Sequence, residues 1–294
     1  MSLLAGDVQY SRPDWFEQAI ATAPETSFVD VDGVAIEVLA WGPPGAPGLM
    51  LVPGHGANAH WWAFIAPLFA GHFRVASISL SGMGRSGWRE RYTSSGYVRE
   101  TVAVAEAAGL YLSGQPPVLV GHSYGGAIAV STIATLEDRF SSAIIIDSGL
   151  LSLKRRVSEM TAQKARPHRV YPDLNTALTR FRFLPEQATE NLFIADYIAR
   201  QSLKPVDQGW TWRFDPYLSA NRSMGDVGEL LESVARPISF IRGARSAVVS
   251  SDEFSAILDK LPGARSYEIP DAGHHVMVDQ PLGLVKVIGD LLVP

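Results

Sequence analysis

Residues 121–126, which read GHSYGG, constrain the fold of this chain more than any other stretch of its 294 residues. The apolar run PPVLV precedes them and the helix-compatible run AIAVSTIATLE follows, so the stretch joins a buried strand to a helix. In a G-x-S-x-G turn, small residues permit a bend sharp enough to expose the serine hydroxyl at the edge of a sheet. Ser123 is therefore predicted to be a nucleophile, and the plainer alternative is a turn serine between structural glycines.

Other segments have the same strand-like pattern. Four short apolar runs end in Gly, Ser or Asp: PGLMLVPG, FRVASISLSG, PPVLVGHS and SSAIIIDSG. Helix-compatible segments at 96–113 and 126–138 lie between them, and this alternation indicates a parallel sheet with both faces covered. Two β-rich runs around Asp32-Gly33 predict an antiparallel hairpin before it. The predicted fold class is α/β, with a mostly parallel central sheet flanked by helices.

The alternation of strands and helices is interrupted once. It stops after Asp147 and resumes at the strand-like run RPISFIRGA, which begins at Arg236. The intervening segment reads as amphipathic helices followed by the aromatic run QGWTWRFDPYL, with no convincing buried strand. We predict a first core segment over 1–149, a helical insertion over 150–234 and a second core segment over 235–294.

Four motifs together resemble the α/β-hydrolase superfamily, in the branch with a helical cap between the sixth and seventh strands. They are GHSYGG, LVPGHGANAHWW, ISLSGMGRSG and AGHHVMVDQP, and the resemblance covers about residues 27 to 293. It implies a catalytic triad in the chain order Ser, Asp, His and an oxyanion hole made of backbone N–H groups. One departure is Ser79, which replaces the usual aspartate of the glycine-rich loop at 79–87, where we expect a structural turn.

A serine hydroxyl needs a base to take its proton, and that base needs an orienting carboxylate. The resemblance implies that the base is His274, which directly follows Gly273, whereas His275 packs under the loop. The usual acid position after the seventh strand is Ser246. In a minority of relatives the acid follows the sixth strand, which here implies Asp147; the alternative is an aspartate that caps the entry turn of the insertion.

Four other carboxylates are weaker candidates for the acid. Two resemble the first turn of a helix, one a turn residue and one a helix N-cap: Asp252, Glu253, Asp271 and Asp279, respectively. For the oxyanion hole, the resemblance implies the backbone N–H groups of Tyr124 and His55. The chain departs from the family there, because Pro53 replaces the usual histidine.

The insertion is expected to contribute the substrate contacts. Its aromatic residues Trp210, Trp212 and Phe183 are predicted to contact an apolar or aromatic substrate, although some aromatics must form the core of the insertion itself. Three arginines could pair with a substrate carboxylate, but the plainer reading is that they lie on the surface. They are Arg180, Arg182 and Arg213.

Composition narrows the classes of partner. A net charge of −5 argues against nucleic acid and anionic membranes, and the absence of cysteine excludes disulfides and thiolate chemistry. No metal-binding motif is present, so we expect neither metal nor cofactor. Because the N-terminal residues resemble no secretory signal and no apolar run could span a membrane, we expect a cytoplasmic monomer or homodimer that binds a small molecule.

The predicted function is a serine hydrolase that cleaves a small apolar or aromatic ester through an acyl-enzyme. Two alternatives stay open. One is hydrolysis of a carbon–carbon bond in a β-diketone-like compound, and the other is a non-hydrolytic receptor or lyase on the same fold.

Overall fold

A computed structural model describes residues 2–161, 165–223 and 225–292. Its strands, in chain order, are β1 (Glu25–Val31), β2 (Val34–Trp41), β3 (Gly48–Val52), β4 (Arg74–Ser79), β5 (Tyr92–Thr93), β6 (Val118–His122), β7 (Ser142–Ile146), β8 (Leu203–Val206), β9 (Gly209–Trp212), β10 (Arg222–Ser223), β11 (Ile238–Gly243) and β12 (Arg265–Ile269). Its helices are α1 (Asp14–Ala21), α2 (Ser94–Ala107), α3 (Tyr124–Thr135), α4 (Leu153–Thr161), α5 (Leu174–Leu178), α6 (Leu192–Gln201), α7 (Val227–Leu230), α8 (Ser251–Lys260), α9 (Val276–Asp279) and α10 (Pro281–Leu292).

The central sheet has the strand order β1-β2-β4-β3-β6-β7-β11-β12 within the described residues. Only the pairs of β2 with β1 and β4 are antiparallel, and all the others are parallel. The hairpin turns at Asp32-Gly33, where both residues have positive φ. The predicted α/β fold with a mostly parallel sheet is therefore confirmed.

Helices cover both faces of this sheet because its central strands are apolar on both faces. In β3, Leu49 and Leu51 pack into the core that contains α1 and α10, whereas Met50 and Val52 pack into the core that contains α2 and α3. Alternate residues of a strand point to opposite faces, so one apolar run supplies two cores. Because β6, β7 and β11 are parallel neighbours, their carboxyl ends meet at one edge of the sheet.

The segment between β7 and β11 differs in part from the helical insertion predicted over 150–234. It contains four helices among its described residues, but β8 and β9 form an antiparallel hairpin. A two-residue turn at 207–208 connects the hairpin strands, and Gly209 has a φ of +138°. A Cβ there would lie 1.9 Å from the Tyr171 carbonyl oxygen, so only glycine fits. The aromatic run around Trp210 and Trp212 is therefore a short strand.

The inserted segment is fastened to the core by polar contacts. The backbone N–H of Asp215 donates to the Gly82 carbonyl over 2.7 Å, and the Tyr92 hydroxyl donates to Asp215 Oδ2 over 2.6 Å. Strand β10 also pairs in parallel with β5 of the core. Arg222, in β10, is thus fixed opposite Tyr92.

Among the helices of the described residues, none combines the length and the apolar character that a membrane span requires.

The close approach between β6 and α3 generates a stability prediction. A Cβ at Gly121 would lie 2.3 Å from the Gly125 carbonyl oxygen, so Gly121→Ala is expected to lower the free energy of unfolding by about 2 kcal/mol or more. Gly289→Ala is the matched control, because a Cβ at that position in α10 meets nothing within 4 Å. It should raise the free energy of unfolding by about 0.5–1 kcal/mol. Urea unfolding measures both changes, and equal effects would contradict the packing described.

Candidate active site

Ser123 lies at the junction between β6 and α3, at the carboxyl edge of the sheet. Its φ of 54° and ψ of −119° are unusual for a residue with a side chain, and such a conformation costs roughly 1–3 kcal/mol. Its backbone N–H donates to the Ile146 carbonyl over 2.8 Å, which ties the bend to the end of β7. The strand–turn–helix context predicted for this serine is therefore present.

His274 and Asp147, which are 127 residues apart in sequence, are in direct contact. His274 Nδ1 and Asp147 Oδ2 are 2.7 Å apart, and both side chains are buried. A carboxylate only accepts hydrogen bonds, so Nδ1 carries the proton and the imidazole presents Nε2 on its other side. His274 lines the same cavity as Ser123. The structure thus pairs His274 with Asp147 and places His274 and Ser123 on the wall of one cavity.

The Asp147 carboxylate accepts two further hydrogen bonds. The Gly243 N–H at the end of β11 donates to Oδ1 over 2.9 Å, and the Ser246 hydroxyl donates to Oδ2 over 2.6 Å. Ser246 occupies the position where most relatives were expected to carry the acid, and here it supports the acid of the neighbouring strand. Asp147 also has a positive φ of 46°, which directs its backbone out of β7 immediately after the strand ends.

The alternative carboxylates lie elsewhere. Asp252 is exposed in the first turn of α8, and Glu253 accepts hydrogen bonds from the backbone N–H and hydroxyl of Ser152 at 2.9 and 3.1 Å. Asp271 lies in a turn and pairs with Arg245. These three carboxylates have structural partners or solvent around them and do not form the contact that His274 makes with Asp147.

Asp279 has a different contact from the helix N-cap that its sequence context indicated. It ends α9, and its Oδ2 accepts hydrogen bonds from the Gly273 N–H over 2.8 Å and from Gln187 Nε2 over 2.7 Å. The Gln187 side chain in turn accepts from the His275 N–H over 3.0 Å. Asp279 and Gln187 therefore hold the backbone of the loop that carries His274.

The loop after β3 brings His55 to the cavity beside Tyr124. Tyr124 opens α3, and the first N–H groups of a helix have no acceptor within that helix, so its backbone N–H is a donor at the helix N-terminus. The rings of His55 and Tyr124 are in edge-to-face contact with centroids 5.9 Å apart. Both residues expected to donate to an oxyanion thus line the cavity with Ser123.

The orientation of the His55 ring is set by two residues that the sequence reasoning missed. Arg222 Nη1 donates to His55 Nδ1 over 2.9 Å, so the proton of the neutral ring is on Nε2, which donates to Ser219 Oγ over 2.9 Å. Burial, and secondarily the charge of Arg222, lower the pKa of His55 to about 3. No local sequence pattern marks Arg222, because its contacts form only when β10 docks on the core.

Two further histidines surround His274 and are also kept neutral. His122 Nε2 donates to the His274 carbonyl over 2.9 Å, and burial, with the nearby His274, lowers the pKa of His122 to about 3. Burial likewise holds the pKa of His275 well below its usual value. The His275 ring contacts Trp61 and Phe183 with centroids 5.4 and 4.9 Å away, which fits the packing role expected for it.

The three clustered histidines could in principle hold a metal ion. Their candidate ligand atoms lie within 4.8 Å of one another. Tetrahedral ligands at 2.0–2.1 Å from zinc are about 3.4 Å apart, so the rings would have to move to bind it. One nitrogen each of His122 and His274 is already hydrogen-bonded. The arrangement is therefore suited to holding the backbone and proton positions of His274 rather than preformed for a metal.

A cavity of about 600 Å³ opens over Ser123 and His274. Its aromatic wall includes Phe181, Trp212 and Phe214. Phe183 and Trp210, which were predicted to contact the substrate, are not among the described residues that line this cavity. Phe183 is buried against Phe181 and Trp61, with ring centroids 5.1 and 5.8 Å away.

Trp210 has a structural role instead. It exchanges two backbone hydrogen bonds of 2.8 Å with Tyr171, and its side chain is packed on the core cluster that includes the insertion. Trp210 and Trp212 lie two residues apart and so share one face of β9, but of the two only Trp212 reaches the cavity. The substrate-contact prediction therefore has to be revised at Phe183 and Trp210 and retained at Trp212.

The glycine-rich loop after β4 compensates for its missing aspartate. The Ser79 hydroxyl donates to Glu37 Oε2 over 2.7 Å, and the Arg85 N–H donates to the same oxygen over 3.1 Å. Glu37 is fully buried and comes from β2, so a carboxylate from the adjacent strand occupies the region in place of one from β4.

Comparisons with known proteins agree with this architecture. LipV, a lipase of Mycobacterium tuberculosis, is 27% identical over 275 residues, which cover 89% of this chain and 99% of the relative. A 2-hydroxy-6-oxo-6-(2'-aminophenyl)hexa-2,4-dienoic acid hydrolase of Metapseudomonas resinovorans is 23% identical over 86% of each chain. The solved thioesterase domain from the curacin biosynthetic pathway has the same fold, with a TM-score of 0.76 and 22% identity over 90% of this chain and 99% of that domain.

Residues 49–287, which include all but the first residue of β3, strands β4 to β12 and all the residues expected to form the site, match the model of the alpha/beta hydrolase family. Since this match spans most of the chain, the protein belongs to the alpha/beta hydrolase family.

Proposed function

We propose that this protein is a serine hydrolase that cleaves a small, largely apolar or aromatic carboxylic ester through an acyl-enzyme. The observation that carries the proposal is the 2.7 Å contact between His274 Nδ1 and Asp147 Oδ2. His274 also lines the same cavity as Ser123. A neutral imidazole held in this tautomer is a base for a serine hydroxyl.

In the acylation step, His274 Nε2 takes the proton of the Ser123 hydroxyl while Oγ attacks the ester carbonyl carbon. Asp147 stabilises the imidazolium that forms. The carbonyl oxygen becomes an anion, which the backbone N–H groups of His55 and Tyr124 stabilise. Collapse of this intermediate breaks the bond to the alcohol oxygen, and His274 returns the proton to that oxygen as the alcohol leaves.

Deacylation repeats these steps with water. His274 removes a proton from a water molecule, whose oxygen attacks the acyl carbon, and the proton then passes to Ser123 Oγ as the acid is released. His122 supports the cycle by fixing the His274 carbonyl, and it takes no part as a base because its pKa is about 3. Only one of the three clustered histidines therefore exchanges protons.

The preference for an apolar or aromatic group follows from the cavity wall. Phe181, Trp212 and Phe214 come from the segment between β7 and β11, and apolar walls of this kind bury an apolar ligand surface. We propose that residues 150–234 act as a cap that roofs the site and excludes water, with residues 1–149 and 235–294 forming the core.

Hydrolysis of a carbon–carbon bond is the second candidate function. The relative from Metapseudomonas resinovorans is named for a reaction on a hexa-2,4-dienoic acid and covers 86% of this chain. A panel of ester, thioester, lactone, amide and β-diketone substrates distinguishes the candidates. Turnover confined to the diketone would favour the carbon–carbon hydrolase over the esterase.

The role of Ser123 is tested by pre-steady-state kinetics with a 4-nitrophenyl ester. The wild type should release a burst of nitrophenol equal to the enzyme concentration, because acylation releases the alcohol before water enters. Ser123→Ala should lose the burst and lower kcat by roughly 10⁴- to 10⁶-fold. Ser131→Ala is the control, since this buried hydroxyl donates to Ala127 within α3 over 2.9 Å and should leave turnover unchanged. Unaltered turnover in Ser123→Ala would contradict the mechanism.

The role of Asp147 is tested by Asp147→Asn. The amide can donate to His274 Nδ1 and so favours the wrong tautomer, which should lower kcat by about 10⁴-fold. Steady-state kinetics measures the loss, and circular dichroism checks that the variant is folded.

Two variants serve as controls for this assignment. Asp252→Asn should change kcat by less than about twofold, because this carboxylate is exposed and remote from the contact with His274. Ser246→Ala removes one of the three hydrogen bonds to Asp147 and should lower kcat by roughly tenfold. A larger loss in Asp252→Asn than in Asp147→Asn would transfer the role of the acid away from β7.

A further inference from the structure

The side chain of Gln187 connects the inserted segment to both sides of His274. Its Oε1 accepts a hydrogen bond from the His275 N–H over 3.0 Å, and its Nε2 donates to Asp279 Oδ2 over 2.7 Å. The same carboxylate oxygen accepts from the Gly273 N–H over 2.8 Å. The backbone N–H groups on either side of His274 are therefore held by two side chains that are also bonded to each other.

The loop that carries His274 is shaped to receive this side chain. A Cβ at Gly273 would lie 2.5 Å from Gln187 Oε1, so the amide packs directly against the backbone beside His274. The His274 carbonyl is held separately, because His122 Nε2 donates to it over 2.9 Å. Since His122 belongs to β6 and Gln187 to the inserted segment, the core and the insertion each hold the backbone around His274.

The direction of the His274 ring depends on this backbone. Asp147 fixes the Nδ1 end of the imidazole over 2.7 Å, but the direction in which Nε2 points also depends on where the loop places the Cα atom. Proton transfer requires close alignment, and a displacement of about 1 Å can lower a rate by about 100-fold. Gln187 itself is absent from the described part of the cavity wall over Ser123. It therefore acts on the base without lining the substrate cavity.

We propose that Gln187 is a positioning residue through which the docked insertion holds His274 in the geometry for proton transfer. The proposal rests on the proposed function and adds that the inserted segment acts on the base as well as on the substrate. Gln187 lies between α5 and α6, so its side chain reaches the loop only when this stretch is docked on the core. Movement of the stretch away from the core would break both hydrogen bonds of Gln187 at once and lower the activity.

Steady-state kinetics of Gln187→Met with a 4-nitrophenyl ester tests the proposal. Methionine keeps the length of the side chain and removes both hydrogen bonds. The variant should lower kcat by roughly 10- to 100-fold and change KM by less than about twofold, because the cavity wall is unaltered. Gln208→Met is the matched control and should leave both constants unchanged, since Gln208 is exposed in the turn between β8 and β9. A change confined to KM would contradict the positioning role.

Asn191 distinguishes positioning from a general loss of stability. Its Nδ2 donates to the backbone carbonyls of Val278 and Asp279 at 2.8 and 3.1 Å, so it joins the insertion to the chain beyond His274. Asn191→Ala removes these contacts but leaves the N–H groups beside His274 bonded. It should lower kcat by less than about threefold, while urea unfolding shows a loss of stability similar to that in Gln187→Met. Equal losses of kcat in the two variants would overturn the inference.

A measurement without substrate separates this inference from the proposed function. In the wild type, the proton on His274 Nδ1 should give a sharp low-field NMR signal, because its charge-assisted hydrogen bond to Asp147 protects it from exchange. The signal should broaden in Gln187→Met and stay sharp in Gln208→Met and Asn191→Ala, and its loss in His274→Ala assigns it.

The outcomes are distinct. Ester turnover with the wild-type kcat in Gln187→Met would overturn the inference and leave the serine hydrolase intact. Absence of all ester turnover in the wild type would contradict the proposed function, and an unaltered His274 signal in Gln187→Met would then overturn the role of Gln187 as well.

Discussion

The carboxylate of Asp147 is the group on which the geometry of this site depends. It is buried at the end of β7 and accepts hydrogen bonds from Gly243 at the end of β11, from Ser246 and from His274 after β12. A buried charge is tolerable only when hydrogen bonds compensate its lost hydration, and these three donors come from two segments of the chain, at 243–246 and at 274. The requirement to satisfy one carboxylate thus aligns two strand ends and the histidine loop.

The remaining parts of the site are fixed to the same edge of the sheet by separate contacts. Ser123 is tied to the end of β7 through Ile146, and the loop before His274 is held by Asp279 through the Gly273 N–H. The inserted segment is joined to the core through Asp215 and β10. Arg222 consequently sits beside His55 in a fixed place, so the docking of the insertion also sets the orientation of the His55 ring.

Much of the fold was predictable from sequence because buried strands leave a local pattern. The apolar runs matched β3, β4, β6 and β7, and the turn motif identified Ser123. The contact of His274 with Asp147 followed from a resemblance, since no local pattern relates residues 127 apart. The sequence did not predict that a carboxylate from Glu37 replaces the one missing at Ser79, because the two residues lie on different strands.

The insertion was the least predictable part. Its aromatic run was predicted to belong to a helical insertion without a strand, whereas the hairpin observed there depends on Gly209 meeting the Tyr171 carbonyl, a tertiary contact. Which aromatics line the cavity was equally hard to predict, because Trp210 and Trp212 share one face of β9 and tertiary packing alone brings Trp212 to the cavity. Arg222 was missed because His55 and Tyr124, which it contacts, lie more than 90 residues away in sequence.

The central claim is that the substrate acyl group is transferred to Ser123, and mass spectrometry after rapid acid quench tests it most directly. Enzyme mixed with an activated ester for milliseconds should gain the mass of one acyl group, and peptide mapping should locate that group on the peptide containing Ser123. An enzyme that turns over the ester without any covalent adduct, or an adduct on another residue, would contradict the account.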